Sequence, residues 1–293
     1  MKHKLTVYLV LILMALPVTI RSQLPFVEDF SDGTEPAGWT FPSNWQVGSV
    51  GYSNHPIGNP PPAAFFYWNP AVTNYSERLT SPWIDTDEAP QVKVFFDMEL
   101  DFYAPGGLEG LAIEYRTGDG SWNEVLSYEI AAGVSVNFSL STQAFIANVT
   151  DSIQLGFRAY GLNSYNINSW DIDNVKVKNI PSLIDVTIIS NNQINSSQAT
   201  VGDLILLTFE GSTALSSTAA IIGVTQVYPV NLQGNVWQTS YTVQQDIDDE
   251  GPIPFVIMFT DNSNVDGTPV TETMDSSLVI IDNSGPGPFA VDT

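Results

Sequence analysis

Hydrophobic and polar positions alternate along most of this chain with the period of two expected of half-buried strands, and nowhere is the 3.6-residue period of a helix sustained. Val92 to Phe102 shows the pattern well. Phe96, Met98, Leu100 and Phe102 interleave with Asp97, Glu99 and Asp101, so three acids share one face, which on pattern alone is a solvated one. From Gln23 to Lys178 the pattern predicts strands at Phe26 to Phe30, Trp45 to Val50, Ala64 to Trp68, Arg78 to Leu79, Trp83-Ile84, Val92 to Phe102, Leu111 to Thr117, Asn123 to Ile130, Val134 to Leu140, Ser152 to Tyr160 and Trp170 to Val177. Turn clusters such as Asn59-Pro60-Pro61-Pro62 and Gly118-Asp119-Gly120 separate them. Strands of this number suit two packed antiparallel sheets.

Asn179 to Leu183, with Pro181, reads as a linker. Beyond it a second set is predicted at Asp185 to Ser190, Asp203 to Glu210, Ala219 to Val224, Trp237 to Val243, Ile253 to Thr260 and Ser277 to Ile281, close to an immunoglobulin-like count. Trp237, Thr239, Tyr241 and Val243 share a face, with Trp237 as a core anchor. The organisation expected is therefore a leader at 1–22, a β-sandwich at 24–180, a second β-sandwich at 183–283 and a linker or truncated tail at 284–293. The two sandwiches are expected to fold independently.

Composition narrows the compartment. Lys2 and Lys4 precede an apolar run from Leu5 to Ile20, sixteen residues, short for a membrane span and right for a secretory signal. No other stretch is apolar enough to span a bilayer. The chain has no Cys, which removes disulfides, thiolate metal sites and a Cys nucleophile. Net charge is −23, and no Lys or Arg occurs after Lys178. Such a surface disfavours nucleic acid and anionic lipid and offers oxygen ligands to hard cations. The tail Asp282 to Pro288 ends in little, so the chain reads as part of a longer multidomain protein.

Several ordered pieces together resemble a known family. Phe26-Val27-Glu28-Asp29-Phe30, Gly38-Trp39, Asn44-Trp45-Gln46-Val47-Gly48, Arg78-Leu79-Thr80-Ser81-Pro82, Val94-Phe95-Phe96-Asp97, Phe157-Arg158-Ala159-Tyr160-Gly161 and Ile172-Asp173-Asn174-Val175 follow one another as in the MAM-like jelly rolls of cleaved-adhesin and choice-of-anchor type found in Bacteroidetes-like surface proteins. Ser31 departs from the acidic residue many members carry there. The second unit, through Val201-Gly202-Asp203, Gly234-Asn235-Val236-Trp237 and Phe259-Thr260-Asp261, is similar to bacterial Ig-like repeats. The resemblance implies an all-β chain, a jelly-roll β-sandwich followed by an immunoglobulin-like β-sandwich. It further implies an adhesin-type, non-catalytic binding module on the cell surface, with the Ig-like unit as a spacer.

Two candidate sites follow. Opening and closing strands, Val27 to Phe30 and Trp170 to Val177, are expected side by side. The period of two puts Glu28 on the face of Phe30 and Asp173 on the face of Val175 and Val177. Two carboxylates brought together near a packed interior, with no basic residue ahead of Lys176, call for a hard cation. The expectation is one structural calcium on Glu28 and Asp173, with Asp32 and Asp171 as additional ligands. The second site is aromatic: Tyr52, Tyr67 and Trp68 beside Asn69 form a surface suited to a glycan, rings against the apolar sugar face and amides to its hydroxyls. That pattern favours an alternative role, a carbohydrate-binding accessory module of a larger secreted hydrolase. The ligand is an extracellular protein or glycan in either case. Catalysis finds little footing. His55, the only histidine after the leader, sits in a Pro/Gly/Asn-rich loop and reads as a solvated residue.

Overall fold

The computed structural model describes residues 22–51, 54–87, 89–103, 106–118, 120–134, 136–245 and 247–283. The leader at 1–21, Tyr52, Asp246 and the tail at 284–293 lie outside them. The first eleven strands are β1 (Phe26–Glu28), β2 (Trp45–Gly48), β3 (Ala63–Phe66), β4 (Thr73–Thr80), β5 (Ile84–Asp85), β6 (Gln91–Phe102), β7 (Glu109–Thr117), β8 (Asn123–Ile130), β9 (Val136–Asn148), β10 (Ser152–Asn163) and β11 (Ile167–Asn179). A short 3-10 turn, Ser164–Asn166, joins β10 to β11. No helix among the described residues is long and apolar enough to cross a membrane.

These strands make two sheets. One runs β2-β3-β11-β6-β9 with β1 on β11, and the other runs β4-β10-β7-β8 with β5 on β10. The successive pairs β3/β4, β6/β7, β8/β9 and β10/β11 each cross from one sheet to the other, which is the eight-strand jelly roll. The period of two explains the layers. Val92, Val94, Phe96, Met98, Leu100 and Phe102 are all buried, and in the other sheet so are Leu111, Ile113, Leu155 and Phe157. Phe66 stacks on Tyr75 across the layer, ring centroids 5.5 Å apart at 15°, and Trp45 and Trp170 pack against the same ring.

β11 changes parity midway. Trp170 and Ile172 are buried with the core, and so are Val175 and Val177, so the core set jumps from even to odd positions. The jump falls at Asn174, whose φ of 50° is left-handed, the mark of one inserted residue in an otherwise extended strand. Asp173 therefore does not share the face of Val175 and Val177, as simple alternation predicts. It lies with Asp171 on the sheet's outer side, where residues 54–60 form a covering segment: Asn59 reaches Asp173, Ile57 packs with Ala63, Phe65 and Tyr67, and Phe65 is the cross-strand partner of Asp171.

The remaining strands are β12 (Leu183–Ser190), β13 (Gln198–Ala199), β14 (Leu204–Gly211), β15 (Leu215–Ile222), β16 (Thr225–Val227), β17 (Val230–Gln233), β18 (Val236–Thr242), β19 (Gly251–Pro252), β20 (Phe255–Asp261) and β21 (Ile280–Ile281). Sheets β12-β14-β18-β17 and β16-β15-β20, with the small sheet β13-β21-β19, give the order A-B-E-D opposite C′-C-F of an immunoglobulin-like sandwich. Thr239, Tyr241 and Val243 are buried, and Trp237 packs against that core as its alternation requires. By compactness the described residues fall into two units. One holds the chain up to Glu88, Asp97–Thr142 and Thr150–Asn174; the other holds Ala89–Phe96, Gln143–Val149 and the chain from Val175. The division runs through β6, β9 and β11.

Candidate functional site

At the end of the jelly roll where β3 and β6 finish and β11 begins, four aromatic side chains meet. Trp68 contacts Tyr67 at 5.6 Å and Tyr165 at 5.2 Å, the latter edge-on at 83°, and Tyr165 reaches Tyr103 at 6.4 Å and 86°. Tyr103 and Tyr165 are 51% and 49% exposed, so these rings face water rather than core. Tyr67 and Trp68 are half-buried and Asn69 is exposed. The sequence reading named Tyr67, Trp68 and Asn69; it missed Tyr103 and Tyr165, which stand far away in the chain and arrive only through the sheet order β3-β11-β6.

The platform is held by buried polar groups. The Ser164 hydroxyl donates to the Trp68 carbonyl at 3.0 Å and accepts from the Val72 amide at 2.8 Å, tying the segment after β3 to the 3-10 turn. Asn163 caps that turn by accepting from the Tyr165 amide. Glu109, fully buried, accepts from the Asn163 amide, the Asn166 side chain and the Tyr75 hydroxyl at 2.7–2.9 Å. Gly161 makes room for it, since a Cβ there would fall on the Glu109 carboxylate. Burial, then the Glu109 contact, pushes the Tyr75 hydroxyl well above its ordinary range, so it stays a donor. Beside the platform Asp101 accepts from the Asn168 amide at 3.0 Å.

The acidic residues lie on the outer face of β6 and β11, and they are not solvated as the pattern suggested. Asp97 is buried and accepts from Thr142 at 2.6 Å and Asn174 at 2.9 Å. Glu99 accepts from or pairs with His55 Nε2 at 2.7 Å, so His55 is an acid-bound residue at the edge of the covering segment and not a free loop side chain. Asp173 accepts from the Asn59 and Asn174 amides, both at 2.7 Å. Glu28 accepts from the Phe30 amide at 2.8 Å, and exposed Asp32 accepts from the Thr34 amide. Burial raises the carboxyl pKa of both Glu28 and Asp173, backbone donors oppose it, and the Asp29 charge adds to both. Asp171 differs: it is 1% exposed and its oxygens fall short of a well-formed hydrogen bond, the Ser169 hydroxyl being the donor beside it. Burial, followed by the Glu99 charge, pushes its pKa up to about 8 against the pull of Ser169. The four expected calcium ligands thus have four different settings, and among the described residues no three acid or imidazole side chains converge on one point.

No family model and no curated protein matches the sequence. Among solved structures the chain is similar to the carbohydrate-binding module TmCBM61, solved with β-1,4-galactotriose, at 15% identity over 52% of this chain and 94% of that one, with a TM-score of 0.33. It is also similar to CBM28, a module specific for non-crystalline cellulose, at 16% identity over 55% of this chain and 96% of that one, with a TM-score of 0.32. A third similar structure is the K2 cleaved adhesin domain of Lys-gingipain, at 17% identity over 53% of this chain and 98% of that one, with a TM-score of 0.36.

Proposed function

We propose that this chain is an adhesin-type, non-catalytic binding module of a secreted or cell-surface protein, with the jelly roll presenting its aromatic end to an extracellular ligand and the Ig-like unit serving as spacer. The observation that carries this reading is the platform of Trp68, Tyr103 and Tyr165, half-exposed rings locked by Ser164, Asn163 and Glu109. Exposed rings fixed in advance lose little freedom on binding, which is how a recognition surface gains affinity. Among the described residues around them no nucleophile stands with its base, and His55 is committed to Glu99.

A glycan is the ligand class that the platform's chemistry fits, because the Asp101–Asn168 pair beside the rings offers an acceptor and an amide for sugar hydroxyls. This pair also favours the second reading, a carbohydrate-binding accessory module of a larger hydrolase. A glycan array separates the two. Saturable binding to polysaccharide, reduced at least about tenfold by Tyr165→Ala or Trp68→Ala at unchanged melting temperature, supports sugar recognition. Absence of glycan binding with retained adhesion to a cell-surface protein supports the adhesin reading alone. If both alanine variants bind like the parent in either assay, the platform is not the site.

A structural calcium between β1 and β11 belongs to the same reading, supported by the shared influence of Asp29 on Glu28 and Asp173. EDTA is expected to lower the melting temperature, and Asp173→Asn to reduce that response; an unchanged melt excludes it.

A further inference from the structure

The outward face of the sheet β4-β10-β7-β8 gathers positive charge in a strongly acidic chain. All three arginines beyond the leader, Arg78, Arg116 and Arg158, stand on it, although the sequence carries a net charge of −23. Cross-strand register sets Arg158 opposite Arg78, and Gln154 opposite Arg116. Two guanidinium groups side by side repel, and one nearly enclosed carboxylate serves both: Glu114 accepts from Arg78 Nε at 2.6 Å and from Arg158 Nε at 2.8 Å. Glu124 and Glu129 stand at the β8 border of the face, where Glu124 accepts from Arg158 at 3.2 Å and Glu129 from the Tyr160 hydroxyl at 2.9 Å. Arg116 differs. Its Nε donates at 2.8 Å to the Gln154 side-chain carbonyl, a neutral group, and among the described residues it makes no ion pair.

Aromatic rings hold these cations where acids do not. The Arg116 guanidinium carbon lies 4.8 Å from the Trp122 ring centroid and 5.2 Å from that of Trp83, and Trp122 also takes Arg78 at 4.5 Å. Arg158 lies over the Tyr160 ring at 4.4 Å. Rings and guanidinium groups thus alternate along β10 from its Gln154 end to Tyr160, roughly 20 Å at about 3.3 Å per residue. Small residues let them lie close against the sheet: a Cβ on Gly156 would meet Arg78 and Trp122, and one on Gly110 would meet the Tyr160 ring. Trp83, Trp122 and Tyr160 are half-buried, so each ring keeps part of its surface toward water. Beyond Tyr160 the face opens into a cavity of about 430 Å³ between Leu108 and Leu162, with Ser76 and Arg158 at its edge. Both leucines are exposed.

We infer that this face is a second binding surface, for an acidic polysaccharide whose sugar rings lie against Trp122 and Tyr160 and whose carboxylate or sulfate groups take the guanidinium edges of Arg116 and Arg78. Stacking occupies the flat faces of a guanidinium, and each Nε serves one internal acceptor. Among the described residues no acceptor takes the terminal nitrogens of Arg78 or Arg116, which leaves a planar pair of donors matched to an oxyanion. One carboxylate shared by two arginines, and a third arginine on an amide, leave positive charge for a ligand to meet. Rings beside each cation suit the apolar faces of sugars, which an acidic peptide lacks. Both kinds of group are fixed before the ligand arrives, so little freedom is lost on binding. The surface shares no residue with the Trp68 platform and stands whether or not that platform binds.

Titrating the full chain with polygalacturonate, dextran sulfate, uncharged dextran and polyglutamate, in EDTA so that no calcium bridges carboxylates, tests this by calorimetry and tryptophan fluorescence. Saturable binding to at least one acidic polysaccharide is expected, weakening as salt is raised. Binding of polygalacturonate alone assigns the carboxylate as the recognised group, and of dextran sulfate alone the sulfate. Arg116→Gln, which removes the charge and keeps a hydrogen-bonding side chain, should weaken binding about tenfold or more at unchanged melting temperature, and Arg116→Lys should weaken it less. Trp122→Phe should remove most of the fluorescence change, while Tyr165→Ala, which tests the Trp68 platform, leaves binding in place. The inference is overturned if neither acidic polysaccharide binds, or if dextran or polyglutamate binds as tightly. It is equally overturned if Arg116→Gln and Trp122→Phe both behave as the parent, or if loss is confined to Tyr165→Ala.

Discussion

The two outer faces of the jelly roll treat a buried acid in opposite ways. On the β4-β10-β7 side Glu114 is nearly enclosed, and guanidinium groups hold both its oxygens, Arg78 at 2.6 Å and Arg158 at 2.8 Å. Those arginines are themselves supported: Arg78 lies over Trp122 at 4.5 Å, Arg158 over Tyr160 at 4.4 Å, and Arg116 bridges Trp122 and Trp83. Gly156 leaves the space, because a Cβ there would meet both Arg78 and Trp122. On the β6-β11 side Asp171 is as deeply buried and is eased only by the Ser169 hydroxyl beside it. All three arginines beyond the leader stand on the first face. One face thus offsets the burial of an acid with fixed cations, and the other leaves its acid to hold a proton instead.

The largest effect should come from breaking the satisfied side. Glu114→Ala strands two guanidinium groups and is expected to cost about 3 kcal/mol in urea unfolding, less than a fully buried pair because the arginines are partly exposed. The β6-β11 side should respond with the opposite sign: in EDTA near neutral pH, Asp171→Asn is expected to stabilise the chain by about 2 kcal/mol. Its pH dependence follows from linkage. The folded carboxyl holds its proton up to about 8 while the unfolded one releases it near 4, so parent stability falls as pH rises between those values. The Asn variant should be flatter across that window, and an unchanged slope would show that Asp171 is not the titrating group. Glu109→Gln, which turns an amide toward three donors, should cost about 1.5 kcal/mol and weaken glycan binding through Tyr165. The smallest change is expected at the half-exposed His55–Glu99 contact, where His55→Ala should move stability by under about 0.5 kcal/mol. A larger loss would mean that the covering segment depends on that contact far more than on Ile57.

Much of this architecture was legible in the alternation. The strand over Asn123–Ile130 and the start of β10 fall where the pattern puts them, and the face of Trp237, Thr239, Tyr241 and Val243 is buried as read. Short pairings such as β13, β16, β17 and β19 escaped because two to four residues carry too little periodicity. Within the sites, Tyr67, Trp68 and the acids of the closing strand could be singled out, since their neighbours in sequence are also neighbours in space. Tyr103 and Tyr165 could not, because only the crossing of β11 between β3 and β6 unites them with Trp68. Nor could the donors of Asp173 be foreseen: they come from Asn59, more than a hundred residues away, and from a change of strand parity that no hydrophobic pattern announces.

That change of parity makes one residue of the closing strand supernumerary. Removing Asn174 would leave the reading frame of the gene untouched and restore plain alternation to the strand, with Trp170, Ile172, Val175 and Val177 still inward and Asp171 and Asp173 still outward. What the deletion takes away is the left-handed turn itself, with the Asn174 amide that donates to Asp173 and the side-chain amide that donates to Asp97. A deletion at this position should therefore be felt on the acidic face rather than in the core, and Asn174→Gly, which keeps the left-handed turn and its backbone donor, should be milder than the deletion.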